Sequence, residues 1–571
     1  MTPPRRPSGA MIALMILGLV SLCRPGIRAS ESPFSVDDWS PALAAETADG
    51  QALILTAGAW GAGGLAVAGQ WSPADPATVH LRLGDDDPTW TYPRSGIMLI
   101  DEQQQIVGHV GFAAGAFLPT AVLADDDGLW VGGYAGAGFA AWLKRQSVPG
   151  LRHHDPDFRQ RDLTVHTPGE HHDEPRRDPA LDARGAPAVL RLAPDGRRLL
   201  AAALLEGWQS TWFVPAQVRE TWWQPLLFTR LADGDLLVVH DGGMNRLPEA
   251  DHNPRSDDFA AFCLAVDHVS RLAPDLDQRR WHRSMHGPPI DAAAISATIA
   301  HGIHFRNTRA REWTAPVLGN PRSWTLVADH DGRGAWVGGW SASRTNEEPW
   351  WCPFIRHIDG DGQIVDGPWS PSPTGGDGRL GGQVSDTAVR ALATMPDGGL
   401  MVILLADGGN NVAVRDPWDP LRRPDSPWFG SHATFRGRTL FWSGLARLHP
   451  DPDAPLGLGL AWGRHLGGQG RDRRDRHTTR PAWGEHLVVV DEDIWMAGRV
   501  ADQTRILNHQ AAQAGGWLVR VRPDGSHDQP LTWPQTRITS LVHSGGRILA
   551  IGWRGTPRQA QPVIMAVAPS P

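Results

Sequence analysis

Cysteine, tyrosine and lysine are all scarce in this chain. Its 571 residues hold 3 Cys and 2 Tyr, and Lys is nearly absent beside abundant Arg. So few thiols cannot build a disulfide framework. Only Cys263 and Cys352 lie beyond the leader-like first 30 residues. They are read as two separate buried thiols, although export would permit a disulfide between them. The mild net charge of −8 provides no basic face for neutralising phosphates, which excludes a nucleic-acid partner. Beyond the leader no apolar run is long enough for a transmembrane helix. No glycine loop precedes a helix, and there is no GxSxG elbow, no HExxH and no paired-cysteine zinc pattern. The regular Trp spacing of quinone-dependent propeller dehydrogenases is missing too.

What the chain has in quantity is glycine (64), proline (48) and tryptophan (27). The first two require frequent turns. Residues 1–30 read as a signal peptide: Arg5 and Arg6 give a positive start, and Met11 to Leu22 form an apolar core too short to span a bilayer comfortably. Leu22 stands where lipoprotein signals carry a small residue, which argues against a lipid anchor at Cys23. The expected location is periplasmic or extracellular.

Length alone suggests about three or four domains, but closed repeat architectures escape that expectation. A short apolar run ending in Gly recurs after a Gly- or Asp-rich turn: Leu65 to Gly69, Leu129 to Gly133, Ala335 to Gly339, Ile494 to Gly498 and Ile548 to Gly552. Weaker copies are Leu236 to His240 and Leu400 to Leu404. Each turn is preceded by another short apolar run, so the two form a hairpin, strands A and B. A third strand, C, usually carries an Arg (191, 271, 356, 447, 520) before a Pro-Asp or Asp-Gly turn, and a fourth run, D, follows. A four-stranded unit of about 55 residues favours a propeller over a sandwich.

The best-preserved unit, Gly516 to Asp528 (GWLVRVRPDGSHD), resembles the delta-60 repeats of bacterial propellers. The apolar strands ending in Gly look like the related SBBP repeats. The resemblance implies a fold, not an activity. The reading is therefore all-β: one seven-bladed β-propeller of four-stranded antiparallel blades over residues 31–571. The last unit stops after strand C, and Phe34 to Pro41 carries a D-type Trp-Ser-Pro ending. This N-terminal strand is expected to close the ring.

In such blades the A–B and C–D turns share one face, and the B–C and D–A links share the other. Length variation falls in the second set. Long B–C insertions lie at about 143–186, 243–260, 405–442 and 499–515, and long D–A links at about 207–225, 287–320, 370–387 and 463–482. Function on a repeat scaffold usually resides in such loops. Trp208, Trp212, Trp222 and Trp223 fall on this face, where indoles either stack on a ligand or pack under neighbouring loops. His240 and Asp241 take a slot where most units have Gly. His153, His154, His171 and His172 sit with Asp and Glu in one insertion, residue types that suit a divalent metal, although a solvated loop is the favoured explanation because no metal-ligand spacing is present. Trp130, Trp336 and Trp495 share a strand-B position and read as inter-blade core. The repeated Arg reads as structural, pairing with a carboxylate or capping carbonyls between blades.

The leading functional expectation is a binding or scaffolding module for a protein or glycan ligand, monomeric and without a cofactor. The alternative is a hydrolase or lyase that uses His and Asp from the same loops, assisted by a metal.

Overall fold

A computed structural model describes residues 34–47, 51–72, 94–136, 138–145, 152–153, 186–205, 211–212, 222–223, 226–244, 265–285, 322–345, 348–366, 387–406, 442–453, 457–471, 477–500, 515–556 and 559–569. They form a seven-bladed β-propeller. Blade 1 is Ala52–Gly61, Gly64–Ser72, Arg94–Ile100 and Ile106–Phe112, as strands A to D. Blade 2 is Phe117–Ala124, Leu129–Ala135, Ala186–Leu192 and Leu199–Leu204. Blade 3 is Leu227–Arg230, Leu236–Met244, Ala265–Leu272 and Arg279–Ser284. Blade 4 is Arg322–Ala328, Ala335–Thr345, Glu348–Ile358 and Ile364–Asp366. Blade 5 is Thr387–Thr394, Leu400–Ala406, Trp442–Pro450 and Leu458–Arg471. Blade 6 is His477–Val490, Asp493–Val500, Gly515–Val521 and Leu531–Trp533. Blade 7 takes Thr536–Ser544, Arg547–Arg554 and Gln561–Pro569 from the C-terminal end, and Phe34–Asp38 as its outer strand.

That outer strand closes the ring as the sequence predicts. Phe34 pairs with Pro569 and Asp38 with Met565, antiparallel throughout. Trp39 follows, buried, and donates its backbone N–H to the Ile564 carbonyl at 2.8 Å. Closure covers the edge of Gln561–Pro569, whose backbone groups would otherwise invite pairing with another chain.

Strand A of every blade touches strand A of its two neighbours all the way round, so these strands form the inner wall. Their residues are mostly half-buried, as in Thr56 to Gly61, whereas Leu129–Ala135 in strand B is buried at every position. Both faces of a middle strand pack on adjacent blades, which is why the B strands read as unbroken apolar runs. Trp130 fills one such interface and donates its indole N–H to the Pro274 carbonyl of blade 3 at 2.9 Å. Trp495 of blade 6 meets Phe34 of blade 7 with ring centroids 5.1 Å apart. Trp336 is buried as well.

Three of the five strand-C arginines, Arg271, Arg447 and Arg520, pair with acids of the A–B turn in their own blade, whereas Arg191 donates to the Asp127 carbonyl oxygen at 3.4 Å. Arg271 contacts Asp233 and, at 2.8 Å, Asp235. Arg447 contacts Asp397, and Arg520 lies 3.6 Å from Asp493 and 2.7 Å from Asp528. In blade 4 the equivalent residue is one position later than the sequence suggests. His357, opposite Trp336, takes the slot and lies 3.0 Å from Asp329, while Arg356 reaches the Met285 carbonyl of blade 3.

A second correction concerns 463–482. In its described residues this link is not irregular: strand D of blade 5 and strand A of blade 6 continue past their blades and pair with each other from Gly467↔Pro481 to Arg471↔His477. Two blades thereby become one eight-stranded sheet.

Candidate functional site

The antiparallel order fixes where the insertions emerge. The last B–C pairs are Trp71↔Arg94, Ala135↔Ala186, Met244↔Ala265, Thr345↔Glu348, Ala406↔Trp442, Val500↔Gly515 and Arg554↔Gln561, all at the end of the blade away from the A–B hairpins. Strand D ends and strand A begins at that same end. The long links therefore leave from a single rim, including the 73–93 link of blade 1 that the repeat reading did not count among the long insertions.

Of the residues expected to carry function, Trp208, His154, His171 and His172 lie outside the described residues. Trp212 and Trp222 pair across a short antiparallel ribbon, with Thr211 opposite Trp223. This ribbon belongs to the D–A link from blade 2 to blade 3, so it sits at the rim. His153 is in a two-residue strand, Arg152–His153, added parallel to the outer strand of blade 2 with His153 opposite Leu204. Cys352 is opposite Ser341 in blade 4, and Cys263 lies outside the described residues.

His240 is fully buried in strand B of blade 3. It faces His268 across the B–C ladder, and Asp241 faces Asp267. His282 on strand D completes a group of three imidazoles, with ring centroids 4.8 to 6.0 Å apart. His282 Nδ1 is 2.8 Å from the Ser270 hydroxyl. In blades 2 and 7 a Cβ at the matching Gly133 or Gly552 would collide with the carbonyl oxygen of Leu118 or Arg537. Among the described residues no group of three His, Cys, Asp or Glu side chains is arranged to hold a metal ion.

Sequence reasoning missed a layer of polar side chains on the inner wall. Six strands A carry a β-bulge at one equivalent position: Thr56, Thr120, Trp324, Arg390, Glu485 and Thr539. In blades 1, 2 and 7 the bulged Thr bridges to the next blade. Thr56 Oγ1 donates to the Pro119 carbonyl at 3.3 Å, Thr120 Oγ1 accepts from Leu226 N–H at 3.1 Å, and Thr539 Oγ1 donates to the Leu55 carbonyl at 2.9 Å. In blades 4 and 6 the bridge moves to the following residue. Thr325 Oγ1 accepts from Leu392 N–H at 3.0 Å, and His486 Nε2 is 3.1 Å from the Ile538 carbonyl.

Glu485 is buried 3.4 Å from Arg499. Burial pushes its carboxyl up, but Arg499, Arg537 and Arg390 together overcome this and hold it at about 2. Burial, reinforced by Arg390, holds His486 down at about 4, against the opposing pull of Glu485. The Arg390 guanidinium is lowered by burial, with Glu485 opposing and Arg537 adding to the shift, and it lies 5.5 Å from the centre of the Trp324 ring. A signal for this layer was present in the sequence: Arg390 and Glu485 are charges inside otherwise apolar strand-A runs.

On the opposite face a cavity of about 560 Å³ lies between the A–B and C–D turns of blade 1 and the A–B turn of blade 2, with Asp101, Glu102, Asp125 and Asp126 in its wall. No helix among the described residues is long and apolar enough to cross a membrane.

No family model matches the chain, and no curated protein matches it. Solved propellers resemble it only distantly. The β-propeller domain of the Trilobed protease from Pyrococcus furiosus is 7% identical with a TM-score of 0.35, covering 90% of this chain and 93% of that one. Sqt1 of Saccharomyces cerevisiae is 7% identical with a TM-score of 0.34, covering 91% and 97%. A luciferin-regenerating enzyme is 9% identical with a TM-score of 0.28, covering 67% and 84%. At this distance they carry no argument about function.

Proposed function

We propose that this chain is an exported binding or scaffolding propeller whose loop-bearing rim receives a protein or glycan ligand. The observation that supports the reading is the shared exit of the long links: every B–C and D–A connection leaves from one end of the blades. A rigid ring that displays variable loops on one side is suited to recognition. The Trp212–Trp222 ribbon adds a tryptophan-rich element to that rim.

The test is a glycan array and a pull-down from the exported fraction, run with the full chain and with W222A/W223A. A ligand captured by the full chain and lost by the double variant, with an unchanged unfolding transition, supports the reading. Metal analysis separates the alternative. A stoichiometric divalent metal, lost on replacing His153, His154, His171 and His172, would replace the binding module with a metal-assisted hydrolase or lyase.

A further inference from the structure

We propose that the cavity on the turn face, where blades 1 and 2 meet, binds a linear aliphatic polyamine. Carboxylates in its wall take the ammonium groups, and the Trp60 indole takes the methylene chain between them. The inference concerns the face opposite the loop-bearing rim and does not depend on the rim reading.

The site follows from the way blade 1 departs from the repeat. In blades 2, 3, 5 and 6 one strand-B position stands opposite the strand-C arginine, as Trp130↔Arg191, Leu237↔Arg271, Met401↔Arg447 and Trp495↔Arg520. In blades 3, 5 and 6 that guanidinium offsets acids on the turn face. The matching pair in blade 1 is Ala66↔Leu99, so a buried leucine stands where the cation would be. Blade 7 lacks the arginine too, with Leu549↔Ala566, but its A–B turn is Gly545-Gly546 and brings no acid to be offset. The A–B hairpin of blade 1 is made of small residues, Gly61 to Gly64, and blade 2 packs straight against it. A Cβ on Gly61 would lie 2.9 Å from the Ala124 Cβ, and one on Gly63 would lie 2.6 Å from the Pro194 carbonyl oxygen. No long side chain of this hairpin fills the space beside it, and the cavity of about 560 Å³ is the result. That volume falls in the range of small-molecule sites, about 300–1,000 Å³.

The chemistry follows from the lining. Asp101 and Glu102 come from the C–D turn of blade 1, Asp125 and Asp126 come from the A–B turn of blade 2, and no described lining residue is basic. Two of the four already have structural work. Asp125 pairs with Arg230 of blade 3, and Asp101 Oδ1 accepts the Gln105 N–H at 2.8 Å. Glu102 and Asp126 are exposed, and among the described residues neither side chain forms a hydrogen bond or an ion pair. Carboxylates gathered around a concave space with low-dielectric walls attract a cation from solution. They are not gathered tightly enough for a point charge, since no three of them are arranged to hold a metal ion. Acids that stand apart, on two different blades, match a cation whose charges are spaced along a chain. Trp60 is half-buried, backed by Trp39 with ring centroids 6.2 Å apart, and forms part of the cavity wall. An indole suits both the ammonium groups and the apolar methylenes of such a chain.

The probe is spermidine, titrated calorimetrically into the full chain at low ionic strength, with Mg²⁺ as the control cation. Saturable binding at one site is expected. It should weaken about 10-fold in E102Q/D126N, which removes two exposed carboxylates that hold no other group, and about 3-fold in Trp60→Leu. The thermal transition of E102Q/D126N should be retained, so this variant decides the matter even where Trp60→Leu is less stable. D361N/E492Q removes the same charge from exposed turns of blades 4 and 6 and should leave the affinity unchanged. Absence of saturable spermidine binding overturns the proposal. Displacement by an equal concentration of Mg²⁺, or equal weakening by D361N/E492Q, overturns it as well, because either result means a diffuse acidic surface. W222A/W223A should not alter spermidine binding, so the two readings fail separately.

Discussion

Removing the closing strand should destabilise the whole ring rather than fray one end. Phe34 and Trp39 are buried to within a few per cent, at 5% and 2% exposure, and Phe34 packs on Trp495 and beneath Arg520. Truncating a buried Phe or Trp to Ala costs about 3–5 kcal/mol. F34A/W39A should therefore lose about 6–10 kcal/mol, comparable with the entire stability of an ordinary domain, about 5–15 kcal/mol. The first blade is involved as well, because Trp39 and Leu43 belong to a core shared with Leu53, Leu55 and Ile564. Urea unfolding followed by both Trp fluorescence and far-UV circular dichroism is the assay. The midpoint should drop in both signals together, and the variant should aggregate through the uncovered Gln561–Pro569 edge. A peptide spanning residues 31–47, added in excess, should recover part of the loss for a chain that lacks that segment. A midpoint shift below about 1 kcal/mol, or a transition lost in one signal alone, would refute the closure argument.

Other consequences can be checked directly. Gly552→Ala places a methyl group against the Arg537 carbonyl, and overpacking of this kind costs about 1–3 kcal/mol by denaturant titration. Acid should destabilise the fold in two overlapping steps. His486, held down at about 4, leaves the unfolded chain binding more protons between pH 6.5 and 4, so stability falls as pH drops through that window, by about 3 kcal/mol at most. Glu485, held at about 2, contributes stability that is present above its unfolded value near 4.5 and lost as pH falls towards 2. H486Q should flatten the upper step and leave the lower one, as read from unfolding free energy against pH. A double-mutant cycle between Arg520→Ala and Asp528→Asn should give a coupling of about 1–3 kcal/mol, since the pair is largely buried and charge-assisted.

The blades were legible because their signals are local. Gly-Gly and Asp-Gly turns between apolar runs mark hairpins whatever the surroundings, and the strand-C Arg marks the slot facing the A–B turn. Where one residue was misplaced, Arg356 for His357, the cause was that both lie on strand C and only the register against Trp336 decides between them. The extended ribbon at 463–482 was read as a loop because its glycines and charges weaken the strand pattern, and its pairing is set by the neighbouring blade. The axial layer was less legible still. Arg390, Glu485 and Arg537 span 147 residues of chain (390 to 537), and only the ring brings their strands to one inner wall. His240 was noted as an oddity in its own repeat, but its partners His268 and His282 were not, since nothing in a single strand shows which side chains share a face across three strands.

The shared sheet of blades 5 and 6 makes the circle mechanically uneven. Among the described residues the seam between blades 5 and 6 carries the longest backbone ladder from one blade to the next, and the other six show mainly side-chain packing and isolated bridges. Any breathing of the ring, whether under heat, force or protease, must then begin at one of the other six, and blades 5 and 6 should survive longest as a joined pair.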